Sequence, residues 1–391
     1  MFSFKTKKNN LIQKKATNFL FIFGFFIGGI AQQTINSTLE HDGITREYIL
    51  YVPASYSNGS SAPLVFNFHG YTSNANDQMF YGDFRPIADT EGFLIVHPMG
   101  TVDNSGNTHF NVDWGTSTID DVGFTEALID EISSNYTIDA SRIYSTGMSN
   151  GGFMSYKLAC ELSERIAAIA SVTGTMNKNQ PNTCNPSHQI PVMEIHGTSD
   201  TTVPYEGANW IESTPDVMSF WANFNNCETS AEITNLPDTA PNDGSTVEYQ
   251  VFKNGDNGAR VEHYKINNGG HKWPGSVFNS AGTNYDINAS ALIWEFFSRY
   301  DINGEITTLS IDEVNGDTKT LRIHPNPVGS IITVDLKIQE PLDYSIFTIE
   351  GKLTSKGTIS ITNNTIDVSH LVSSTIYFLN IGNTSIKIQK K

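Results

Sequence analysis

A serine between two glycines, in the run Gly-Met-Ser-Asn-Gly at 147–151, is the part of this chain best suited to do chemistry. The run follows a β-prone stretch at 142–146 and precedes a helix-like stretch at 153–160. Small residues on both sides of a serine allow a very tight strand-to-helix turn, which exposes the hydroxyl at the edge of a sheet. Because the pattern is common, a loop serine that caps a helix is the alternative. A nucleophilic Ser149 therefore needs a base, an acid that orients the base, and donors for an oxyanion.

Two later polar residues could complete the catalytic machinery. Asp200 follows an apolar, strand-like run at 192–195, and His271 lies in a glycine-rich segment at 269–275 behind the last apolar strand. A serine hydroxyl is a poor nucleophile at neutral pH, so an imidazole must accept its proton and a carboxylate must hold the right imidazole tautomer. Taken alone, Asp200 could cap a turn and His271 could be a structural loop residue. Their order after Ser149 is that of the α/β-hydrolases, so we predict a triad of these three residues.

The oxyanion of an acyl-transfer intermediate needs N–H donors that are fixed in advance. By the usual geometry one donor is the backbone N–H of the residue after the serine, which is Asn150, and Met148 is the less favoured alternative. We predict that the second donor is the N–H of Tyr71, in the loop after the third strand. Thr72 is the weaker choice in that loop.

Two tryptophans are candidates for substrate binding. We predict that Trp114 and Trp273 form walls of an aromatic acyl pocket, although each could instead be a core residue. The spacing of the three cysteines does not suggest a metal site.

The apolar runs alternate between strand-like and helix-like lengths after an initial β-hairpin at 38–52. Short runs predict strands at 63–68, 93–97, 143–146, 167–172, 192–195, 247–252 and 261–266. Amphipathic runs predict helices directly after Ser149 and at 121–136, 216–225 and 289–300. This order predicts an α/β-hydrolase fold, a mostly parallel sheet with helices on both faces. Ligands of such sheets bind beyond the strand ends, which long polar stretches follow at 71–83, 100–118 and 174–189.

The two ends of the chain differ from its middle. Five lysines at 5–15 and an apolar run at 19–30 predict a signal peptide over 1–31, with an uncleaved membrane anchor as the alternative. We expect no stable transmembrane segment after cleavage behind Ala31. The expected domains are a catalytic domain at 32–302, a polar linker at 303–318 and a small all-β, sandwich-like module at 319–391.

Charge and cysteine content narrow the partners and the compartment. The net charge of −17 falls on the central domain, because the leader lysines leave with the signal peptide and charges balance from residue 309 onward. An acidic domain disfavours nucleic acid and anionic surfaces and favours neutral substrates. Export makes a disulfide possible, and Cys160, Cys184 and Cys227 allow at most one bridge, whose pairing the sequence leaves open.

Three motifs carry a resemblance to a known family: Gly-Met-Ser-Asn-Gly-Gly at 147–152, His-Gly-Thr-Ser-Asp at 196–200 and Gly-His-Lys-Trp-Pro-Gly at 270–275. They resemble the secreted poly(3-hydroxybutyrate) depolymerase/feruloyl esterase group, which overlaps the first carbohydrate esterase family. Further matches are Trp114, Asp-Asp-Val-Gly-Phe at 120–124 and His-Gly at 69–70. The resemblance covers roughly 38–300 and implies hydrolysis of a carboxylic ester through an acyl-enzyme, without a metal or cofactor.

The resemblance also bears on the substrate and on one cysteine. The first expectation is a feruloyl or acetyl ester on plant-type polysaccharide, and the alternative is a poly(3-hydroxybutyrate) or related polyester. A peptidase of the same fold and a non-catalytic surface-binding protein are less favoured. Members of the group often have a cysteine before the catalytic histidine, but 249–252 contains none. Cys227 would therefore be free or paired elsewhere.

The C-terminal module resembles the type A sorting domain of the type IX secretion system of Bacteroidetes. The matching stretches are Ile-His-Pro-Asn-Pro at 323–327, 346–352, 366–371, 376–378 and the basic end at 387–391. This resemblance implies passage through the type IX secretion machinery, followed by release outside the cell or attachment to the outer cell surface. A carbohydrate-binding β-sandwich is the alternative.

Overall fold

The computed structural model describes residues 32–57, 59–278, 280–306, 322–335, 341–348, 352–360, 363–373, 375–381 and 384–391. The predicted signal peptide at 1–31 and most of the predicted linker, 307–318, lie outside these residues. The chain divides into two compact units, the first ending at Glu305 and the second beginning at Ile306. In the described part of the chain, no helix is both long enough and apolar enough to cross a membrane.

The first unit is built on a ten-stranded sheet with the order β1-β2-β4-β3-β7-β8-β9-β12-β11-β10. In chain order the strands of this unit are β1 (Gln33–His41), β2 (Ile44–Val52), β3 (Ala62–Phe68), β4 (Leu94–Pro98), β5 (Thr101–Val102), β6 (Thr108–His109), β7 (Ile138–Met148), β8 (Ala168–Val172), β9 (Val192–Gly197), β10 (Glu232–Asn235), β11 (Thr246–Phe252), β12 (Val261–Asn267), β13 (Tyr300–Asp301) and β14 (Gly304–Glu305). Neighbours from β4 to β12 in this order pair in parallel. The pairs at both edges are antiparallel. This arrangement confirms the predicted α/β-hydrolase fold.

The central strands are buried on both faces. Every residue of β3, β4, β8 and β9 is buried. Along β3, Leu64 and Phe66 belong to one apolar core and Val65 belongs to another. Because side chains alternate across a strand, these are the cores on the two faces of the sheet. Continuous apolar runs, rather than alternating ones, are therefore what the central strands require.

Helices cover the sheet and connect its strands. They are α1 (Ala75–Tyr81), α2 (Arg85–Glu91), α3 (Asp121–Asn135), α4 (Asn150–Glu161), α5 (Thr214–Phe224) and α6 (Ala289–Phe297). The α1 helix lies inside the stretch 71–83, which the sequence predicts to be a polar loop. It has seven residues, of which three are buried, so it has little apolar periodicity to reveal it. Its N-cap is Asn74, whose side chain accepts from the N–H of Asp77.

The only disulfide among the described residues joins Cys160 to Cys184. It connects the C-terminal turn of α4 to the long loop 174–189, and Cys227 is a free, partly buried thiol. The sequence could not select this pair, because pairing depends on which loops lie together in space.

The second unit is an all-β domain. Its strands are β15 (Arg322–His324), β16 (Ile331–Asp335), β17 (Leu342–Thr348), β18 (Leu353–Ile359), β19 (Thr365–Asp367), β20 (Ile376–Ile381) and β21 (Thr384–Gln389). They form two sheets, β15-β16-β19 and β18-β17-β20-β21, over one apolar core. The β-prone run at 359–368 predicts one strand in this module, and that prediction is wrong. The chain turns at Ser360 and Asn363, which pair with each other, and β18 and β19 join different sheets.

Candidate active site

Ser149 lies on a strained turn between β7 and α4. Its backbone has φ 56° and ψ −118°, a conformation that costs a non-glycine residue free energy. Two hydrogen bonds hold it: Ser149 N–H donates to Val172 O (2.8 Å), and Phe153 N–H donates to Ser149 O (3.0 Å). The turn therefore presents the serine at the carboxyl end of a central strand and at the N-terminus of a helix.

The two glycines of the motif are required by close packing. A Cβ on Gly147 would lie 2.6 Å from Phe68 O and from the carbonyl carbon of Gly151. A Cβ on Gly151 would lie 2.2 Å from Phe68 O. Any side chain at either position would push α4 away from β3. The pattern seen in the sequence is thus a steric requirement of this turn.

Asp200 and His271 meet beyond the carboxyl ends of β9 and β12. Asp200 Oδ2 lies 2.6 Å from His271 Nδ1, and Oδ1 accepts from the N–H groups of Thr202 (2.8 Å) and Val203 (2.9 Å). The Asp200 side chain is fully buried, whereas that of His271 is partly exposed. Because the carboxylate accepts from Nδ1–H, the other ring nitrogen, Nε2, is left as the base.

The loop that carries Asp200 and the loop that carries His271 are also joined by a backbone hydrogen bond. They follow β9 and β12, which pair in parallel. Ser199 N–H donates to Gly269 O (2.9 Å), and a Cβ on Gly197 would lie 2.2 Å from the same oxygen. Gly197, in the motif at 196–200, therefore allows the two loops to approach each other.

Ser149 and His271 line one cavity of about 480 Å³. Asp200 lies behind His271, so the structure brings all three predicted triad residues together. The other lining residues are Gly70, Tyr71, Ser73, Asp77, Gln78, Phe80, Tyr81, Met148 and Phe278. Most of the aromatic wall comes from α1 and from the loop before α6. Sequence reasoning missed Phe80, Tyr81 and Phe278; the adjacent pair Phe-Tyr inside a polar stretch was the available signal.

The side chain of His69 fixes the loop that carries Tyr71 through two hydrogen bonds. The Nε2 of His69 accepts from Gly100 N–H (3.0 Å), and its Nδ1–H donates to Gly70 O (2.7 Å). Burial lowers the pKa of His69 to about 4, so the ring is neutral and this tautomer is fixed. Thr72 N–H already donates to Thr108 O (2.8 Å), which leaves Tyr71 as the better oxyanion donor of the loop.

Asn150, the other predicted donor, begins α4. Its side chain forms two bonds with the backbone of Phe110, accepting from N–H (2.7 Å) and donating to O (3.0 Å). The side chain is thus structural. The backbone N–H is one of the donors at a helix N-terminus that have no intrahelical partner.

The structure places neither Trp114 nor Trp273 in the wall of the catalytic cavity, contrary to the prediction from the sequence. The Trp273 ring is buried against Phe84 in a core, and its Nε1–H donates to Ser290 Oγ (3.2 Å). Gly82 leaves room for it, since a Cβ there would lie 2.9 Å from the ring. Trp114 is also absent from the lining of the catalytic cavity. Its ring lies behind that of Tyr71, which does line the cavity. The two rings meet edge-to-face with their centroids 6.1 Å apart.

Residues 118–228 match the model of the phospholipase/carboxylesterase family. This stretch runs from the start of α3 to beyond α5 and includes Ser149 and Asp200. The first unit has the α/β-hydrolase fold. Residues 322–391 match the model of the secretion system C-terminal sorting domain. The second unit therefore directs the protein to the extracellular or cell-surface space, as the resemblance implied.

The first unit is similar in sequence to several curated proteins, including the following two. A bifunctional acetylxylan esterase/xylanase of Neocallimastix patriciarum is 27% identical over 305 residues, which cover 76% of this chain and 39% of that protein. Feruloyl esterase B of Piromyces equi is 29% identical over 237 residues, which cover 58% of this chain and 42% of that protein. The chain thus spans less than half the length of either relative. An acetyl xylan esterase from Aspergillus awamori superposes with a TM-score of 0.46 and 14% identity, over 68% of this chain and 99% of that chain.

Behind Asp200 and His271, the first unit has a buried polar network centred on His196. Its Nδ1 lies 3.0 Å from Glu194 Oε1, and its Nε2 lies 2.9 Å from Val203 O and 3.4 Å from Asp200 Oδ2. Both ring nitrogens face acceptors, so the imidazolium satisfies the site and the neutral ring does not. Nothing in the sequence distinguishes His196 from a structural histidine, because its acceptors converge only in the folded chain.

The pKa values follow from this geometry. Burial disfavours the imidazolium, but hydrogen bonds to Asp200 and Glu194 outweigh burial and raise the pKa of His196 to about 10. Burial also opposes ionisation of Asp200, but hydrogen bonds from His196 and His271 hold the pKa of that carboxyl well below its usual range. Burial raises the pKa of Glu194, although His196 and Tyr156 donate to its two oxygens. His196 therefore stabilises both carboxylates as a cation.

We expect this cation to make the first unit less stable as the solution becomes alkaline. Unfolded histidine has a pKa of about 6.5, so the contribution of His196 is complete below that pH and is lost as pH rises through about 10. Over this window the folded chain holds one more proton, and the free energy of unfolding should fall by about 1.4 kcal/mol per pH unit. Denaturant unfolding between pH 7.5 and 9.5 measures the slope.

The double variant Glu194→Gln/His196→Gln removes the buried cation together with one of its carboxylate partners. Its free energy of unfolding should therefore fall less steeply with pH than that of the wild type. His263→Gln is the control. Burial lowers the pKa of His263 to about 3, so this buried ring is uncharged throughout the window and the slope should not change. Equal slopes in the wild type and the double variant would show that His196 is not a buried cation.

Proposed function

We propose that this protein is a secreted serine esterase that hydrolyses carboxylic esters through Ser149, His271 and Asp200. The observation that carries the proposal is the contact of 2.6 Å between His271 Nδ1 and Asp200 Oδ2, behind a cavity that Ser149 and His271 both line. The match to the carboxylesterase family supports the same chemistry.

The reaction proceeds in two halves. Ser149 Oγ attacks the ester carbonyl carbon while His271 Nε2 takes the hydroxyl proton. The oxyanion accepts hydrogen bonds from the N–H groups of Tyr71 and Asn150, each worth about 3 kcal/mol in the transition state. The bond to the alcohol oxygen then breaks, and His271 gives its proton to the departing alcohol. A water molecule attacks the acyl-enzyme in the same way, releasing the carboxylic acid and restoring Ser149.

We further propose that the acyl group is a feruloyl or acetyl group carried on polysaccharide. The aromatic side chains of Phe80, Tyr81 and Phe278 around the serine suit a planar hydroxycinnamoyl group, whose flat face they can contact. The names of the two curated relatives support this class of ester. A polyester depolymerase is the second candidate, because Phe80 and Phe278 are exposed and could contact an apolar polymer.

Delivery of the enzyme is part of the proposal. The sorting domain supports recognition by the type IX secretion machinery, with a signal peptide over 1–31 acting first. We propose 319–391 as the sorting module and 32–302 as the catalytic domain. Release from the cell and attachment to its outer surface both agree with this route.

The substrate class can be tested with three esters and the full-length mature protein. We expect release of ferulate from methyl ferulate or of acetate from acetylated xylan, at rates well above those for hydroxybutyrate oligomers. Products are measured by chromatography. Turnover of the oligomers alone would replace the first substrate with the polyester, and no turnover of any of the three would refute both.

A further inference from the structure

A second cavity of about 590 Å³ lies on the hydrolase, apart from the catalytic one. We call it the tryptophan pocket. Its lining combines two indole rings with several side-chain amides, notably Trp114, Trp210, Asn177, Asn179, Gln180 and Asn209. None of these residues lines the catalytic cavity. The esterase reaction described above does not use the pocket.

The Trp210 ring is exposed but held in place. It is 43% accessible to solvent, although an indole of this size is usually mostly buried. The ring stacks on Phe153 with its centroid at 6.1 Å and a plane angle of 15°, and it meets the Trp114 ring edge-on at 5.9 Å. One face of the indole is thus supported by the protein. A ring fixed in this way can bind a ligand without a further loss of side-chain entropy.

The rest of the pocket is equally well supported. Trp114 Nε1–H donates to Asn177 Oδ1 (3.0 Å), and the Asn177 amide donates to Val112 O. Lys178 N–H donates to Trp210 O (3.1 Å), which fastens the two lining segments together. The disulfide between Cys160 and Cys184 anchors the same loop to α4. The pocket is therefore rigid enough to act as a preformed site.

The polar groups of the pocket suit a neutral, hydroxyl-rich ligand. Asn179 and Asn209 are exposed residues of the lining, so their side-chain amides offer both donors and acceptors to a ligand. The charges nearby are paired: Lys157 with Asp113 and Glu161, and Lys178 with Glu212. A charged ligand would find no unpaired counter-charge here. The C–H face of a sugar ring can lie on the electron-rich face of an indole, while its hydroxyls bond to amides.

The position of the pocket suggests which sugar-containing ligand it takes. The Tyr71 ring, which lines the catalytic cavity, lies 6.1 Å from the Trp114 ring, which lines the tryptophan pocket. An extended molecule could therefore reach both cavities at once. We propose that the tryptophan pocket binds unsubstituted sugar residues of the polysaccharide backbone whose ester is cleaved at Ser149. This proposal rests on the proposed function and adds to it a second point of attachment.

The test separates the pocket from the chemistry. In the full-length mature protein, Trp210→Ala should raise the KM for acetylated xylan about tenfold, with kcat nearly unchanged. Its kcat/KM for p-nitrophenyl acetate should equal that of the wild type, because this small ester cannot reach the pocket. Trp210→Phe should recover part of the affinity for the polymer. Ile233→Ala, which removes an exposed apolar side chain from the edge strand β10, is the matched control and should change neither substrate.

Binding is measured without turnover in the Ser149→Ala protein. We expect unesterified xylohexaose or cellohexaose to cause a saturable change in tryptophan fluorescence, and we expect Trp210→Ala in the same background to abolish it. Saturable binding with no hydrolysis of any polysaccharide ester by the wild type would support the pocket and refute the proposed substrate. No binding of either oligosaccharide, with an unchanged KM for the polymer, would overturn the pocket even if the esterase is active.

Discussion

Replacing Ser149 with alanine is expected to lower kcat/KM for p-nitrophenyl acetate at least about 10⁴-fold, because no other nucleophile takes over its role in a triad of this kind. The fold should survive. Alanine and serine share the same backbone preferences at φ 56°, and the bonds that hold the turn use only backbone atoms. Initial rates and far-ultraviolet circular dichroism of the two proteins measure both parts of this prediction.

Ser73→Ala is the matched control for this variant. Ser73 lines the same cavity, but it is held through its backbone, whose N–H donates to Gly70 O and whose carbonyl accepts from Thr108 Oγ1. We expect its rate to stay within about threefold of wild type, since a surface hydroxyl with no part in the reaction contributes little. Equal rates in the Ser149→Ala and wild-type proteins would refute the serine mechanism itself.

The second large effect is expected for Asp200→Asn, which should lower kcat about 10³- to 10⁴-fold. An amide can keep the shape of the contact with His271, but it favours the wrong imidazole tautomer and leaves the imidazolium of the transition state without a counter-charge. The same change removes the carboxylate 3.4 Å from His196. We therefore also expect a lower melting temperature, because a buried cation loses one of its two charged partners.

Asp77→Asn serves as the comparison for Asp200. Asp77 also lines the catalytic cavity, on the first turn of α1, where its carboxylate accepts from the amide of Asn74. Steady-state rates and thermal unfolding of both variants should separate a carboxylate that acts on His271 from one that is only nearby. If Asp77→Asn lost as much kcat as Asp200→Asn, the role assigned to Asp200 would be wrong.

The catalytic candidates were visible in the sequence because local rules determine them. Gly147 and Gly151 are small because a Cβ at either position would collide with Phe68 or with the neighbouring turn. A serine between two such glycines fits a tight strand-to-helix turn. The strands themselves are readable because burial on both faces demands continuous apolar runs. The glycine–serine motif, the order of the three catalytic candidates and the pattern of apolar runs therefore all predict the same fold and site.

The residues that line the catalytic cavity could not be predicted in this way. Trp273 and Phe278 lie five residues apart on one loop, yet the first is buried against Phe84 and the second faces the serine. Nothing in their types or spacing distinguishes them. The choice depends on how this loop packs against α1, a short helix whose own sequence signal is weak. Pairing of Cys160 with Cys184 was undecided for the same reason.

By itself, the sequence determined the α/β-hydrolase fold, the nucleophilic turn, the candidate triad and the sorting domain, since each depends on nearest neighbours or on chain order. Only the tertiary structure decided the properties that depend on distant segments meeting. Trp114 and Trp210 are far apart in the chain but 5.9 Å apart in space, and together they form a second pocket. His196 becomes a cation because Glu194 and Asp200 close around it in the dry interior. Interactions between charges and contacts between side chains weaken steeply with distance. They are therefore defined only when the folded chain brings these residues together.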